Sequence, residues 1–273
     1  MEFECIAING FAGDRTTEAM ECCHHFAQAF ADYLKIPCTL VGEVAEAQDL
    51  PWDIALSESK PLFELAATHM NRILNSSKAP LLITPRCATA IATLPRVLST
   101  HPDVMVIYFD AHGDLNLPTT SESGYLGGMP LTAVMGKWQS GYGSGLNPDQ
   151  LIHIGGRDID MNEESFINHH RITMLSKLDL EGDLRDLKEK IIGRPVYIHL
   201  DTDVYEPSEV SAEYEVEDGL FRTHVKKVVD LVVAQANLVG VEITELSPKN
   251  ETQKRQSYLS LFESFSSLRL EAN

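Results

Sequence analysis

The chain has 273 residues, of which 44% are hydrophobic, and this composition is that of a globular protein with a sizeable core. Its 40 acidic and 22 basic residues leave a formal net charge of −18 at pH 7. Because nucleic acids and anionic membrane surfaces are themselves negatively charged, this balance argues against both as partners.

Strand and helix patterns alternate along the first part of the chain. We predict a strand at residues 4–9, a helix at 19–34, a short strand at 39–41, a helix at 61–75, a strand at 80–84 and a helix at 88–99. A continuous apolar run at 104–109 then predicts a strand that is buried on both faces. The loop at 115–129 is polar and rich in glycine, and residues 130–135 begin another helix.

The alternation continues through the second part. We predict a strand from residue 151 to a tight turn at 155–157, a helical stretch at 166–168 and a short edge strand at 172–175. A helix at 180–192 and a second buried strand at 195–200 follow. The last predicted elements are a helix at 223–235, a strand at 238–243 and a closing helix at 257–270. This pattern is typical of a mostly parallel sheet with helices on both faces. We therefore predict an α/β fold, a three-layer αβα arrangement, in a single domain spanning residues 1–273.

The amino-terminal residues and the cysteines bear on location. No basic segment with a long apolar stretch begins the sequence, so we expect no signal peptide. No run approaches the roughly 20 apolar residues of a membrane span. The cysteines are odd in number and show no C-x-x-C spacing: Cys5, Cys22, Cys23, Cys38 and Cys87. We expect reduced thiols in the cytoplasm.

Each of the two buried strands ends in side chains that can bind a metal. Asp110 and His112 are two positions apart, so they point to the same side while the chain stays extended. Gly113 then allows the backbone to turn before Asp114. The second strand ends in the same manner, in Asp201-Thr-Asp203.

Two such strand ends side by side would bring four carboxylates and one imidazole together, where open α/β sheets bind their ligands. Because carboxylates at that density repel one another, a cation is their natural partner. For either motif alone, a solvated strand end rich in aspartate is the simpler interpretation. Their repetition favours a metal site.

These motifs resemble those of the ureohydrolase family of arginases and agmatinases, whose fold is shared with histone deacetylases. Residues 110–114 are similar to the family's D-A-H-x-D, and residues 200–203 to its D-x-D. The resemblance implies an arginase- or deacetylase-like fold and a centre of two manganese ions bridged by Asp110 and Asp201. His112 and Asp203 would complete the ligands of one ion, and Asp114 would contribute to the other.

The resemblance also implies a guanidinium substrate. The segment 241–248 is similar to one whose last glutamate binds a guanidinium, which makes Glu245 the candidate, and a carboxylate suits that planar group. Asn116 and Ser123 fall where arginases hold the α-carboxylate of an amino acid, and Asp160 falls where its α-amino group is contacted. Asp114 and Glu245 are the expected catalytic residues.

Three departures from the family pattern bear on the chemistry. Cys87 stands where the family's G-G-D-H supplies a histidine ligand. A thiolate there would favour zinc, iron or cobalt over manganese, and a buried free thiol is the alternative. Gly127 replaces a histidine that transfers protons, and residues 211–220 replace the family's G-T-P loop.

Three functions stay open on these grounds. The preferred one is hydrolysis of a guanidino C–N bond by a metal-bound hydroxide, releasing urea, with Mn²⁺ as one or two ions. The second is a one-metal hydrolase of another amide or amidine. The third is a non-catalytic family member that binds metal or an amino acid. The resemblance also implies a small-molecule substrate and a homo-oligomer.

Overall fold

The computed structural model describes residues 2–177 and 182–269, in which eight strands form one sheet. The strands are β1 (Phe3–Asn9), β2 (Cys38–Gly42), β3 (Ala79–Ile83), β4 (Met105–Phe109), β5 (Leu151–Ile154), β6 (Thr173–Leu175), β7 (Pro195–Asp201) and β8 (Asn237–Thr244). Their order is β2-β1-β3-β8-β7-β4-β5-β6, and each neighbouring pair is parallel.

Helices cover both faces of this sheet. The described residues contain α1 (Glu18–Leu34), α2 (Trp52–Glu58), α3 (Lys60–Leu74), α4 (Ala90–Thr100), α5 (Pro130–Val134), α6 (Met161–His170), α7 (Gly182–Ile191), α8 (Arg222–Gln235) and α9 (Glu251–Ser264). One core cluster joins the sheet to α1, α8 and α9, and a second joins its other face to α3, α4 and α5. The predicted three-layer α/β arrangement is therefore confirmed.

The central strands are apolar because both of their faces are covered. Every residue of β3 and β4 is buried, as expected for parallel strands between two helical layers. Successive side chains enter opposite cores, so Ile107 packs in one cluster and Val106 in the other. Among the helices of the described part of the chain, none combines the length and apolar character that crossing a bilayer requires.

Several helix boundaries differ from the prediction. The helix α2 was not predicted, because it is short and only Ala55 in it is buried, which leaves no apolar stripe. The helix α6 begins before the predicted 166–168, since Asp160 caps it. The helix α9 begins at Glu251, where Asn250 caps it, and ends at Ser264, so the predicted 257–270 was shifted along the chain. Residues 180, 181 and 270 of the predicted helices lie outside the described residues.

The sheet order determines which side chains meet. β4 and β7 are neighbours, with Phe109 opposite Leu200, so the two strands that carry the metal motifs lie side by side, as predicted. β8 pairs with β7 on the far side, and β3 pairs with β8. The carboxyl ends of four adjacent strands therefore share one edge of the sheet.

Candidate active site

A cavity of about 320 Å³ opens at the carboxyl ends of these central strands. Eight of the predicted site residues line it: His112, Asp114, Asn116, Ser123, Asp160, Asp201, Asp203 and Glu245. The ninth, Asp110, is 1% exposed and lies against His112 at the cavity wall. The structure therefore brings all the site residues predicted from sequence together.

Asp110, His112 and Asp203 form the first group that can hold a metal ion. His112 Nδ1 lies 2.8 Å from Asp203 Oδ2 and 3.5 Å from Asp110 Oδ1. One ligand atom from each residue lies within 4.8 Å of the others. Asp110 Oδ2 is buried with no hydrogen-bond partner in the described part of the chain. A divalent cation fits this group, because it would satisfy that oxygen and neutralise the carboxylates.

Burial and mutual repulsion shift the pKa values of the acidic groups at this position. Burial, together with Asp203, raises the pKa of Asp110 to about 7. Burial and Asp203 also raise the pKa of Asp201. Burial opposes a charge on His112, but the neighbouring Asp203 and Asp110 outweigh it and raise the His112 pKa to about 12. Ionised carboxylates at this position therefore require positive charge beside them.

Asp114 is held in an unusual backbone conformation. Its φ is 55°, in the left-handed region that non-glycine residues rarely adopt. Such a conformation costs on the order of 1–3 kcal/mol and persists only where the surroundings impose it. Tyr108 in β4 contributes to this, because its hydroxyl donates to Asp114 Oδ2 at 2.5 Å. The carboxylate is thereby directed into the cavity.

Glu163 is a buried acid in the cavity wall that was not predicted. Its Oε1 accepts from the backbone N–H of Leu115 at 3.0 Å, which fixes the turn after the metal motif. A Cβ at Gly113 would lie 2.6 Å from the Glu163 carboxyl carbon, so a side chain at this position would displace the Glu163 carboxyl group. The spacing Asp160-x-x-Glu163 is a capping box, and this local signal could have revealed the residue.

Cys87 belongs to a second group, with Asp201 and Glu245, whose ligand atoms also lie within 4.8 Å of one another. It follows β3 and lines the same cavity as the metal motifs. Its Sγ lies 3.5 Å from the Gly127 carbonyl, to which it donates. Burial, followed by the charge of Asp114, raises the thiol pKa well above its ordinary value. This environment favours a neutral thiol.

Glu245 is paired with a guanidinium of the protein itself. Arg86 is fully buried and donates from Nη1 to Glu245 Oε2 at 2.6 Å. The backbone N–H of Cys87 donates to Glu245 Oε1 at 3.0 Å. Burial raises the pKa of Glu245, and Arg86 opposes that rise. Glu245 is therefore already paired within the protein, although a carboxylate oxygen has lone pairs for a further donor.

Asn116 and Asp160 lie together at another part of the cavity wall. Asn116 Nδ2 donates to Asp160 Oδ2 at 2.7 Å. Asp160 Oδ1 accepts from the backbone N–H groups of Asn162 and Glu163 at 2.7 and 3.0 Å. This contact fixes the start of α6 against the loop that carries Asn116. Ser123 lines the same cavity from a separate turn.

Two tyrosines of the cavity wall, Tyr125 and Tyr214, were also not among the predicted site residues. Their rings lie 5.5 Å apart, measured between centroids. A Cβ at Gly127 would lie only 2.4 Å from Tyr125 Cε1, so the tyrosine ring fills the space beside that glycine. Aromatic residues in loops carry no local pattern that could have indicated this placement.

Comparison with known proteins identifies the family. The sequence model of the Arginase family matches residues 13–264. An N(omega)-hydroxy-L-arginine amidinohydrolase from Streptomyces lavendulae is 32% identical over 253 residues, 93% of this chain and 92% of that protein. An arginase from Bacillus caldovelox is 28% identical over 201 residues, 68% of this chain and 67% of its own length. The structure of Bacillus cereus arginase has the same fold, with a TM-score of 0.84 at 20% identity over 100% of this chain and 99% of that one. The chain belongs to the arginase family of C–N hydrolases.

Proposed function

We propose that this protein is a metal-dependent hydrolase that cleaves a guanidino C–N bond of an amino-acid substrate. The observation that carries the proposal is a single cavity with a carboxylate–imidazole group in its wall and the buried Glu245 beside it. By its name, the relative from Streptomyces lavendulae acts on a hydroxylated arginine, and the one from Bacillus caldovelox is an arginase. Both names support a guanidino substrate here.

Asp110, His112 and Asp203 are the residues that we assign to hold the ion, with Asp201 and Asp114 within reach of the same cavity. Oxygen and imidazole ligands suit manganese. When bound, such an ion lowers the pKa of water and so supplies a nucleophile at neutral pH. The neutral thiol of Cys87 is a poor ligand, so we expect one tightly held ion and a weaker second one.

The remaining residues position the substrate. Glu245 accepts hydrogen bonds from the guanidino group, which places the guanidino carbon beside the metal ligands. Asn116 and Ser123 are assigned to the α-carboxylate, and Asp160 to the α-amino group. Asp114 is the carboxylate that we assign to proton transfer, since Gly127 carries no side chain for that purpose.

The overall reaction is a hydrolysis that needs no redox partner. The oxygen of water forms a bond to the guanidino carbon, and the bond from that carbon to the alkyl nitrogen breaks. The nitrogen takes up a proton and leaves as an amine, while the amidino carbon leaves as urea.

A urea assay joined to metal analysis tests the proposal. Protein purified without chelators should contain a divalent ion, and it should release urea from at least one member of a panel of guanidino amino acids, faster with added manganese. Bound metal without turnover of any guanidino compound would favour the non-catalytic alternative. Release of a different product from an amide or amidine would favour the one-metal alternative.

A further inference from the structure

Arg15 is the only arginine or lysine among the described residues that line the active-site cavity, and its side chain is 29% exposed. The other charged residues of the wall are mostly acids: Asp114, Asp158, Asp160, Glu163, Asp201, Asp203 and Glu245. Asp160 belongs to neither group that can hold an ion, so its charge remains when metal is bound. An amino-acid substrate brings a carboxylate into this negative field, and a cation must pair with that carboxylate to offset the repulsion.

The backbone at Arg15 is fixed because both of its neighbours in the sequence are anchored. Arg15 lies in the loop between β1 and α1. The buried Asp14 before it accepts a hydrogen bond from Arg86 Nε at 2.7 Å. The hydroxyl of Thr16 after it donates to Glu213 Oε2 at 2.7 Å. The fold therefore holds this cation at the cavity wall before any substrate binds.

The guanidinium of Arg15 lies beside a residue that we assign to the substrate carboxylate. Its Nη2 is 3.5 Å from the backbone carbonyl oxygen of Ser123, and its Cζ is 4.7 Å from the centroid of the Tyr125 ring. Its Nη1 makes no hydrogen bond in the described part of the chain. Its Nε lies 2.8 Å from Asp49, whose side chain is 78% exposed. Because such exposed ion pairs are worth only about 0–1 kcal/mol, Asp49 is a weak competitor for an anionic ligand.

We propose that Arg15 pairs with the α-carboxylate of the substrate and thereby selects guanidino amino acids over guanidino amines that lack a carboxylate. This inference rests on the proposed function and adds a specificity-determining residue to it. The residues already assigned to the carboxylate, Asn116 and Ser123, are neutral, and Asn116 Nδ2 already donates to Asp160 at 2.7 Å. A guanidinium presents two parallel N–H donors to a carboxylate and supplies the positive charge that neutral donors lack.

L-arginine and agmatine test the proposal, because agmatine is arginine without its carboxylate. In the manganese-loaded wild-type protein, kcat/KM should be at least about tenfold higher for L-arginine. Arg15→Gln should raise KM for L-arginine about tenfold, the lower end of what a charge-assisted hydrogen bond is worth, because the side chain is partly exposed. Its kcat should change little, since the carboxylate contact is the same in the ground state and the transition state. For agmatine, kcat/KM should change by less than about twofold.

Two further variants serve as controls. Arg15→Lys keeps the charge but loses the planar pair of donors, so it should restore part of the affinity for L-arginine. Arg185→Gln removes the same charge from α7, where the side chain is 72% exposed and does not line the cavity, so it should leave both substrates unaffected. Added salt should raise KM for L-arginine more in the wild-type protein than in Arg15→Gln, because salt screens the proposed ion pair.

The outcomes separate this inference from the proposed function. Equal kcat/KM for the two compounds in the wild-type protein would overturn the inference, and so would an equal loss on both in Arg15→Gln, the result expected if Arg15 only packs on Tyr125. The proposed function fails if no guanidino compound yields urea. Where L-arginine or agmatine is not cleaved, calorimetry decides the inference instead. Tighter binding of L-arginine than of agmatine, lost in Arg15→Gln, would support it, whereas equal affinities or no binding of L-arginine would contradict it.

Discussion

Arg86 forms ion pairs with three carboxylates from distant parts of the chain: Asp14, Glu213 and Glu245. Its guanidinium is fully buried, and removing one partner from such a group is strongly destabilising. The cluster therefore fixes Glu245 at the end of β8 and the loop that carries Tyr214. One guanidinium of the protein thus positions the carboxylate that we assign to the guanidinium of the substrate.

Glu245→Gln tests that assignment. An amide cannot accept charge-assisted hydrogen bonds as a carboxylate does, so we expect urea release to fall by a factor of about 100 or more. The tightly held ion should stay bound, since the first metal group does not include Glu245. A colorimetric urea assay and elemental analysis on the same preparation measure both quantities.

Asp14→Asn is the matched control for this variant. Asp14 also binds Arg86, through Nε at 2.7 Å, but it does not line the cavity. Both variants should lose roughly 1–3 kcal/mol of stability, because each weakens the pairing of a buried charge. Only Glu245→Gln should lose activity. Unchanged urea release in that variant would show that Glu245 serves only as a structural partner of Arg86.

We expect the side chain at position 87 to determine how many metal ions the site holds tightly. Replacing this neutral, buried thiol by histidine supplies an imidazole ligand beside Asp201. We expect Cys87→His to strengthen the binding of a second manganese ion and to raise urea release. Titration of manganese into the protein, followed by calorimetry, measures the number and affinity of the sites.

Cys87→Ser is the companion variant in that titration. If the thiol is not a ligand, the serine variant should bind one manganese ion with nearly the wild-type affinity. Two tight sites in the unmodified protein, reduced to one in Cys87→Ser, would prove this expectation wrong and make the thiolate a ligand.

A row of polar side chains crosses the sheet two residues before Asp110. Tyr108 in β4 lies opposite His153 in β5 and His199 in β7, and His199 lies opposite Glu242 in β8. All four side chains are fully buried, and the rings of Tyr108 and His199 stack with centroids 4.1 Å apart. Through Tyr108 this row contacts Asp114, so the strands hold this proposed metal ligand from within the core.

Tyr108→Phe tests this support. The variant removes the hydrogen bond that orients Asp114, and loss of such a partner of a metal ligand typically lowers metal affinity about 10- to 100-fold. Tyr197→Phe is the matched control, because this buried tyrosine of β7 bonds to Glu242 at 3.3 Å and to no predicted metal ligand. Calorimetric titration with manganese compares them. An equal loss of affinity in both variants would indicate a general loosening of the core.

The whole molecule is strongly acidic, with a formal net charge of −18, and it concentrates several of those charges in one buried site. Binding of a cation there should stabilise the fold as well as prepare it for catalysis. At a free metal concentration 100 times Kd, the gain is about 2.7 kcal/mol, which corresponds to a rise in Tm of about 5–10 °C for a chain of this size.

Differential scanning calorimetry measures this effect. We expect a chelator to lower Tm and added manganese to restore it. Magnesium at the same concentration is the control for simple screening of surface charge. A Tm that does not respond to manganese, or that responds equally to magnesium, would contradict a specific site.

Three properties of the whole molecule stay predictions: a single domain, homo-oligomeric assembly and a cytoplasmic location. Limited proteolysis, sedimentation and cell fractionation would test them in turn.

Local patterns were sufficient to predict the strands, most of the helices and the metal motifs. A continuous apolar run specifies a buried strand, and the spacing of Asp110 and His112 places both side chains on one side of it. The alternation of strands and helices specifies a parallel sheet covered on both faces. These properties depend on residues close together in the chain, and the structure agrees with each of them.

The pairing of distant segments was decided only by the tertiary structure. The bond between Arg86 and Glu245, the placement of the Tyr125 ring beside Gly127 and the partner of Asp114 are examples. A buried charge finds its partners through the order of the strands, and a side chain fills a space that another segment leaves open. The partners of a buried charge and the filling of such a space do not depend on local dihedral preference or periodicity. They therefore cannot be derived from the spacing of residues along the chain.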